Sequence, residues 1–407
     1  MKINFPYSKE TIILNNIFNR NNTDNLRIVG GAIRNFLLKK EIMDFDLSCK
    51  LTPTEVVKIL TENNIKYITP GIDFGTVIAI INGKCFEITS TREDIKTDGR
   101  HAIVKYTKDF KIDAGRRDFT FNALYLDFNG NIYDYFNGLN DLENGIVKFI
   151  GDPEKRIKED YLRILRFFRF YCYYGKILDK EGLEECIKYK EKLTTLSSER
   201  IKSEMFKILN ADNPLKALEI IEQNGILETI TGIETFNFNN LKLLSSIKNQ
   251  IDFKSSTSLI LTILIQNKEE LGRIKNKWKL SNNEYLNSLD ILKYLKDELY
   301  SNQDLKKILF LNNNDKNFTI TLTIFNSILN HTKISENLTD YINNKINFIS
   351  NLELKKLPIN GNDLIQSNFA NKKIFKEIIS QGAEIFIKSN YSATKAEIIK
   401  ELIKEFK

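Results

Sequence analysis

Hydrophobic and polar positions change their rhythm once along the chain. Up to about residue 150 they alternate in short runs separated by Gly and Asn. "LRIVGG" (26–31) reads as a strand entering a turn, "AIRNFLLKK" (32–40) as a helix, "MDFDLS" (43–48) as a strand and "PTEVVKILTENN" (53–64) as a helix. "GTVIAIINGKCFEITST" (75–91) is a hairpin closed by Asn82-Gly83, a pair that accepts the positive φ angles of a tight turn. "FTFNALYLDFNGNIYDYFNG" (119–138) adds a second hairpin-like pair. From about 153 the spacing is helical. "PEKRIKEDYLRILRFFRFYCYYG" (153–175) has Pro at its start and Gly at its end and reads as one helix. Amphipathic segments follow at 180–192, 197–210, 213–224, 239–250, 256–266, 282–297, 318–330 and 372–388, with no repeat of fixed period. The Asn-rich "FLNNNDKNF" (310–318) reads as a joint. The expectation is an α+β head followed by an all-helical remainder.

Inside that head, Asp44 and Asp46 interrupt an apolar run. Residues i and i+2 of a strand share a face, so the two carboxylates project together, with Phe45 and Leu47 opposite. Adjacent like charges repel unless a cation lies between them, and oxygen-only ligands suit Mg²⁺. An exposed edge strand with solvated charges would read the same way, so the pair needs a phosphate site beside it. Upstream, "RIVGGAIRN" places Gly30-Gly31 between a strand and a helix. There, backbone N–H groups and the helix start favour an anion, and Arg34 sits one turn in. A third acid, Glu87, falls opposite Ile78 across the Asn82-Gly83 turn and would approach the aspartates if its strand packs beside theirs. Further on, Asp160, Arg163, Arg166 and Arg169 recur at steps of three along the predicted helix, forming a polar stripe.

Composition narrows the alternatives. The chain has 407 residues, of which 42% are hydrophobic and 28% charged, and its net charge of +7 hints at a polyanionic partner. No apolar run approaches the length of a membrane span, the longest being "LILTILI" (259–265). Two histidines leave no material for a His-rich metal centre. Cys49, Cys85, Cys172 and Cys186 are scattered without metal-type spacing, as expected of a reducing, cytoplasmic protein. There is no signal-peptide layout at "MKINFPYSKETIILNN" and no convincing Ser/His/Asp or Cys/His set.

"GGAIRNFLLKKEIMDFDLS", "GRRDFTFNALYLDFNG", "DYFNGLNDLENGIVKFIGDP" and "RIKEDYLRILRFFRF" together resemble the class II tRNA nucleotidyltransferases, the CCA-adding enzymes of the polymerase-β-like nucleotidyltransferase superfamily. The resemblance is dense over about 26–210 and thin beyond. It implies a seahorse-shaped molecule with a nucleotidyltransferase head (1–145), a base-recognising neck (146–210), a helical body (211–315) and a tRNA-binding tail (316–407). It implies ATP and CTP as substrates, tRNA as partner and no obligate protein partner. By motif, Asp44 and Asp46 would hold catalytic Mg²⁺, and Gly31 and Arg34 the triphosphate. Arg117, Asp118 and Asn122 would contact the nucleotide, Asp160 and Arg163 the base, and Arg166 and Arg169 the nucleotide or its phosphates. The long connector Arg92–Gly115, with a turn signal at Asp98-Gly99, would be the mobile loop that switches addition from C to A.

One position departs from the family pattern Gly-Gly-x-Val-Arg-Asp: residue 35 is Asn, which keeps hydrogen bonding and loses the charge. The tail segment "LPINGNDLI" (357–365) fits the family, but "NFANKKIF" replaces the glycine pattern that follows it. Lys372, Lys373 and Lys376 are candidates for RNA phosphates. Base choice follows from donor and acceptor types. Cytosine and adenine share an amino donor beside a ring-nitrogen acceptor. A carboxylate only accepts and a guanidinium only donates, so Asp160 with Arg163 matches C and A and mismatches U and G. Alternatives within the class are a poly(A) polymerase or an enzyme adding only CC or only A. Outside it stands a catalytically silent RNA-binding protein on the same fold.

Overall fold

The computed structural model describes residues 1–97, 102–234, 236–248, 257–265, 267–331, 336–367, 369 and 374–406. The Asp98-Gly99 turn, Lys372 and Lys373 lie outside them. The chain divides into two compact units, Met1–Thr235 with Asn276–Lys279, and Phe236–Lys275 with Leu280–Lys407.

The first unit contains all the strands: β1 (Leu26–Val29), β2 (Asp46–Cys49), β3 (Lys66–Gly71), β4 (Thr76–Ile81), β5 (Lys84–Ser90), β6 (Arg92–Thr97), β7 (Ala102–Tyr106), β8 (Leu124–Leu126) and β9 (Ile132–Asp134). Seven of them form one mixed sheet in the order β3-β4-β5-β2-β1-β8-β9. The Asn82-Gly83 hairpin forms as expected, with φ of 51° and 76° at its two central residues. Helices α1 (Lys9–Phe18), α2 (Gly31–Leu37) and α3 (Pro53–Glu62) contribute Leu14, Phe18, Ala32, Ile33, Val56 and Leu60 to a core with Ile28, Leu47, Val77, Ala79 and Ile88 of the sheet. Period-2 alternation then sends the other residues of the same strands to the opposite face. There a second cluster forms, from Val29, Ala123, Tyr125, Ile150 and two residues of α4 (Phe110–Gly115), Phe110 and Ala114.

After α5 (Gly138–Asn144), the segment read as one helix over 153–174 is two: α6 (Pro153–Glu159) and α7 (Leu162–Tyr174). Asp160 stands between them in extended conformation (φ −157°, ψ 106°), and its Oδ1 accepts from the Leu162 N–H at 3.1 Å. Aspartate competes for backbone donors in this way, which makes it a better helix terminus than a helix interior. The connector 92–115 carries regular structure. Its described residues on either side of 98–101 pair as an antiparallel ribbon, β6 with β7, that leads into α4. Helices α8 (Lys180–Lys188), α9 (Ser198–Leu209), α10 (Leu215–Gln223) and α11 (Ile226–Thr231) complete the unit.

Among the described residues, the regular elements of the second unit are all helices. Helices at Lys268–Trp278, Asn302–Leu311, Glu336–Asn351 and Lys395–Phe406 lie outside the segments picked out by spacing. In the first of them only Leu271, Ile274 and Trp278 are buried apolar residues, a stripe thinned by charged neighbours. The Asn-rich stretch is a turn, with Asn313 and Asn314 at φ of 54° and 63°. No described helix is long and apolar enough to cross a membrane.

Candidate active site

β1 ends at Gly30, whose φ of +73° favours glycine and whose added Cβ would meet the Asn122 carbonyl at 3.4 Å. That turn brings α2, and with it Arg34, back toward the strand ends. Next to β1, β2 begins at Asp46, which is paired in register with Val29. The strand is therefore shorter than the sequence pattern suggested, and Asp44 lies just before it. Phe45 and Leu47 pack in the head core, which leaves Asp44 and Asp46 on the outer side. On the other flank β5 runs parallel to β2 with Glu87 opposite Asp46. Partial desolvation raises the Asp46 carboxyl above its ordinary pKa and Asp44 adds to this, with Arg117 and Arg34 pulling against it. Glu87 is raised by burial and then by Asp46 and Asp44. The three carboxylates thus feel one another, and their mutual repulsion is what a cation relieves. Among the described residues, no group of three or more His, Cys, Asp or Glu side chains is drawn together closely enough to hold a metal ion by itself. An open set of carboxylates suits Mg²⁺, which usually keeps waters and substrate phosphates as its remaining ligands.

A cleft of about 350 Å³ opens beside Asp46, lined by Gly30, Gly31, Arg34, Arg117, Asp118 and Asn122 from the head. Arg166, Arg169, Phe170, Tyr173 and Tyr174 of α7 and Lys207 of α9 form the opposite wall. One hydrogen-bonded chain crosses it. Arg166 Nε donates to Asp118 Oδ2 at 2.7 Å, Asn122 Nδ2 to Asp118 Oδ1 at 3.0 Å, and Arg34 Nη1 to Asn122 Oδ1 at 2.6 Å. Burial opposes the charge on Asp118, but Arg166 and Asn122 outweigh it and hold the carboxyl at about 2. Arg117 is likewise disfavoured by burial and rescued by Tyr125 and Asp113, so its pKa rises. Asp113 itself is fully buried; it pairs with Arg116 Nε at 2.8 Å and lies 3.6 Å from Arg117 Nη2. Arg169 pairs with Glu204 of α9 at 3.1 Å.

The "DFTFN" segment holds the two walls together. Its ring Phe119 lies 4.8 Å from Phe149 and 5.3 Å from Phe170, and Phe121 lies 5.4 Å from Phe170. With these rings packed on α7, Asp118 and Asn122 turn into the cleft.

Asp44, Asp160 and Arg163 do not line the cleft. Arg163 donates to the Glu159 carboxylate at 2.6 Å and to the carbonyls of Arg156 and Arg116 at 2.9 and 3.0 Å. Asp160 accepts from Arg200 Nη2 at 2.7 Å. The helix break therefore separates Asp160 from the single stripe drawn on sequence. Phe170, Tyr173, Tyr174, Lys207, Arg200 and Asp113 were not anticipated as parts of the site. Extending the Arg166 spacing by one and two turns would have reached Phe170 and Tyr173. Lys207 and Arg200 sit on a separate helix, where spacing gives no signal.

A profile described as "Poly A polymerase head domain" matches residues 26–148, and one described as "Probable RNA and SrmB- binding site of polymerase A" matches 177–231. The chain is 30% identical over 395 residues to a zebrafish (Danio rerio) protein named CCA tRNA nucleotidyltransferase 1, mitochondrial, covering 95% of this chain and 88% of that one. The mouse (Mus musculus) protein of the same name is 36% identical over 291 residues, 70% of this chain and 66% of its own length. Among solved structures, the CCA-adding enzyme of Bacillus stearothermophilus in complex with CTP superposes with a TM-score of 0.72. Identity there is 24%, over 93% of each chain, a likeness of fold. Four motifs in order, the mixed head sheet and a relative matched nearly end to end converge, and the chain belongs to the CCA-adding branch of the tRNA nucleotidyltransferases.

Proposed function

We propose that this chain adds CCA to the 3′ end of tRNA from CTP and ATP without a nucleic-acid template. The tRNA 3′-hydroxyl would attack the α-phosphorus of the bound nucleotide. A new P–O bond forms, the bond to the β-phosphate breaks, pyrophosphate leaves and the hydroxyl proton passes to solvent. The observation that carries this reading is the Arg166–Asp118–Asn122–Arg34 chain, which fixes two guanidinium groups across one cleft beside Asp46.

In this reading Arg34 and the Gly30-Gly31 turn receive the triphosphate, while Arg117 faces the nucleotide with its guanidinium fixed by Asp113. Asp118 and Asn122 orient the ribose and hold Arg166 and Arg34 in place, and Arg169 adds charge for the phosphates. Asp44 and Asp46, with Glu87 as a third carboxylate, hold Mg²⁺, which when bound lowers the hydroxyl pKa and offsets charge on the phosphates. Asp160 and Arg163 read the base edge: Asp160 accepts from the amino group and Arg163 donates to the ring nitrogen. Glu159 and the two carbonyls fix the plane of Arg163, so less entropy is lost on binding. The reading divides the chain into a head (1–145), neck (146–210), body (211–315) and tail (316–407), with tRNA gripped by phosphate, sugar and shape in the helical half. A cytoplasmic location rests on the four free cysteines, whereas the two vertebrate relatives are named mitochondrial.

The test is incubation with a tRNA ending at its discriminator base, with CTP and ATP singly and together. The expected product is C, C and then A, with no incorporation by the Asp46→Ala chain. A product that stops at CC or grows a long A tail supports the narrower alternatives. No addition with tRNA binding intact supports the silent RNA-binding protein.

A further inference from the structure

Arg34 is a buried guanidinium, and every acceptor that bonds it is neutral. Its Nη1 donates to Asn122 Oδ1 at 2.6 Å, and its Nε and Nη2 donate to Asn35 Oδ1 at 3.3 and 3.1 Å. The rings of Tyr174 and Phe170 lie 4.5 and 5.3 Å from its central carbon. Among the described residues no carboxylate lies within ion-pair distance of it. Asp118, an acid that acts on it through space, is engaged by Arg166, and Asp46 lines the same cleft. Nη2 curls back over the glycine turn, 3.6 Å from where a Gly31 Cβ would stand.

Asn35 has the chemistry for this arrangement. Its oxygen accepts from Arg34 and, at 3.3 Å, from the Tyr174 hydroxyl, while its Nδ2 donates to the Glu41 carbonyl at 3.1 Å. Both ends of the amide are used, and their roles cannot be exchanged. An aspartate here would set a negative oxygen against Arg34 and turn its other oxygen toward the Glu41 carbonyl, where there is no proton to share. We propose that Asn35 is a positioning residue that braces Arg34 without neutralising it, leaving a full positive charge for the triphosphate and thereby setting nucleotide affinity.

The inference rests on the reading of Arg34 as a triphosphate ligand. The experiment compares the unmodified chain with Asn35→Asp and Asn35→Ala, each checked for native near-ultraviolet circular dichroism. Tripolyphosphate binding is measured by calorimetry, and KM and kcat are measured for CTP and ATP on trimmed tRNA. A carboxylate at hydrogen-bond distance should weaken tripolyphosphate binding and raise both KM values by about tenfold while kcat holds. Removing the brace without adding charge should also weaken binding and raise KM, but by less, about threefold. An Asn35→Asp chain that binds tripolyphosphate as tightly as the original overturns the proposal, and so does an Asn35→Ala chain that loses as much as Asn35→Asp, since Asn35 would then act as a prop alone. If the unmodified chain adds nucleotides but does not bind tripolyphosphate, the assignment of Arg34 falls, and this inference with it.

Discussion

Arg163 commits one amino group to Glu159 and Arg156 and the other to Arg116, so its orientation is set before any base arrives. A fixed guanidinium penalises a base that offers it an N–H, because a buried donor facing a donor leaves both unsatisfied, at about 1–3 kcal/mol per group. Arg163→Ala should therefore lower the preference for CTP over UTP by about tenfold or more and leave tripolyphosphate binding nearly unchanged. Equal slowing with both nucleotides would remove Arg163 from base selection. Asp118 lends itself to a different measurement. Its folded pKa of about 2 lies below that of an unfolded aspartate, so the folded state binds its proton less readily. Its contribution, about 2 kcal/mol from a shift of that size, is present above about pH 4 and is lost as pH falls toward about 2. Urea midpoints of the unmodified and Asp118→Asn chains should differ at pH 6 and converge in acid. A gap that stays constant with pH would show that Asp118 stabilises the fold by packing rather than charge.

At the scale of elements, α7 lines the cleft, and the ribbon β6–β7 reaches it through Asp113. The ribbon is tied down at its base. The Arg92 backbone N–H donates to Asp113 Oδ1 at 3.3 Å, and the same carboxylate supports Arg116 and Arg117. Motion of the ribbon would therefore reach Arg117 on the cleft wall, and under the proposed function this gives the ribbon a part in switching from C to A. Trimming it between 95 and 106 spares the Arg92–Asp113 contact and the buried Phe110. With CTP and ATP present, the trimmed chain should stop after CC. Full-rate A addition would show that the ribbon is a passive insertion. Spacing alone made 153–174 one helix because both halves keep their apolar period. Asp160 stands at the break, where one carboxylate oxygen caps the Leu162 N–H and the other holds Arg200 of α9.

At the scale of the whole molecule, the net charge of +7 belongs to a protein whose proposed partner is a polyanion. Binding that rests on phosphate contacts releases counterions and weakens with salt. Between about 50 and 200 mM salt, affinity for trimmed tRNA should fall by about tenfold or more. An affinity flat across that range would place recognition elsewhere than the phosphates. Filter binding at several salt concentrations decides this.

The sequence alone determined what depends on local spacing and residue chemistry. Alternation in 26–90 specified strands and the Asn82-Gly83 hairpin, because a period of two and a positive-φ turn are local properties. The Gly-Gly turn and the alternate aspartates were legible for the same reason, whereas the Arg-Arg-Asp motif was legible only through the family resemblance. Tertiary structure decided what depends on partners distant in the chain. It set Glu87 opposite Asp46 through a parallel pairing that no turn signal announces. It brought Arg166 to Asp118 across the packed rings of Phe119, Phe149 and Phe170, and Lys207 to the cleft wall. It also gave Asn35 its meaning. In the sequence the residue is a lost charge, and in the fold it is an amide with both ends bonded, because Tyr174 and the Glu41 carbonyl meet it from opposite sides.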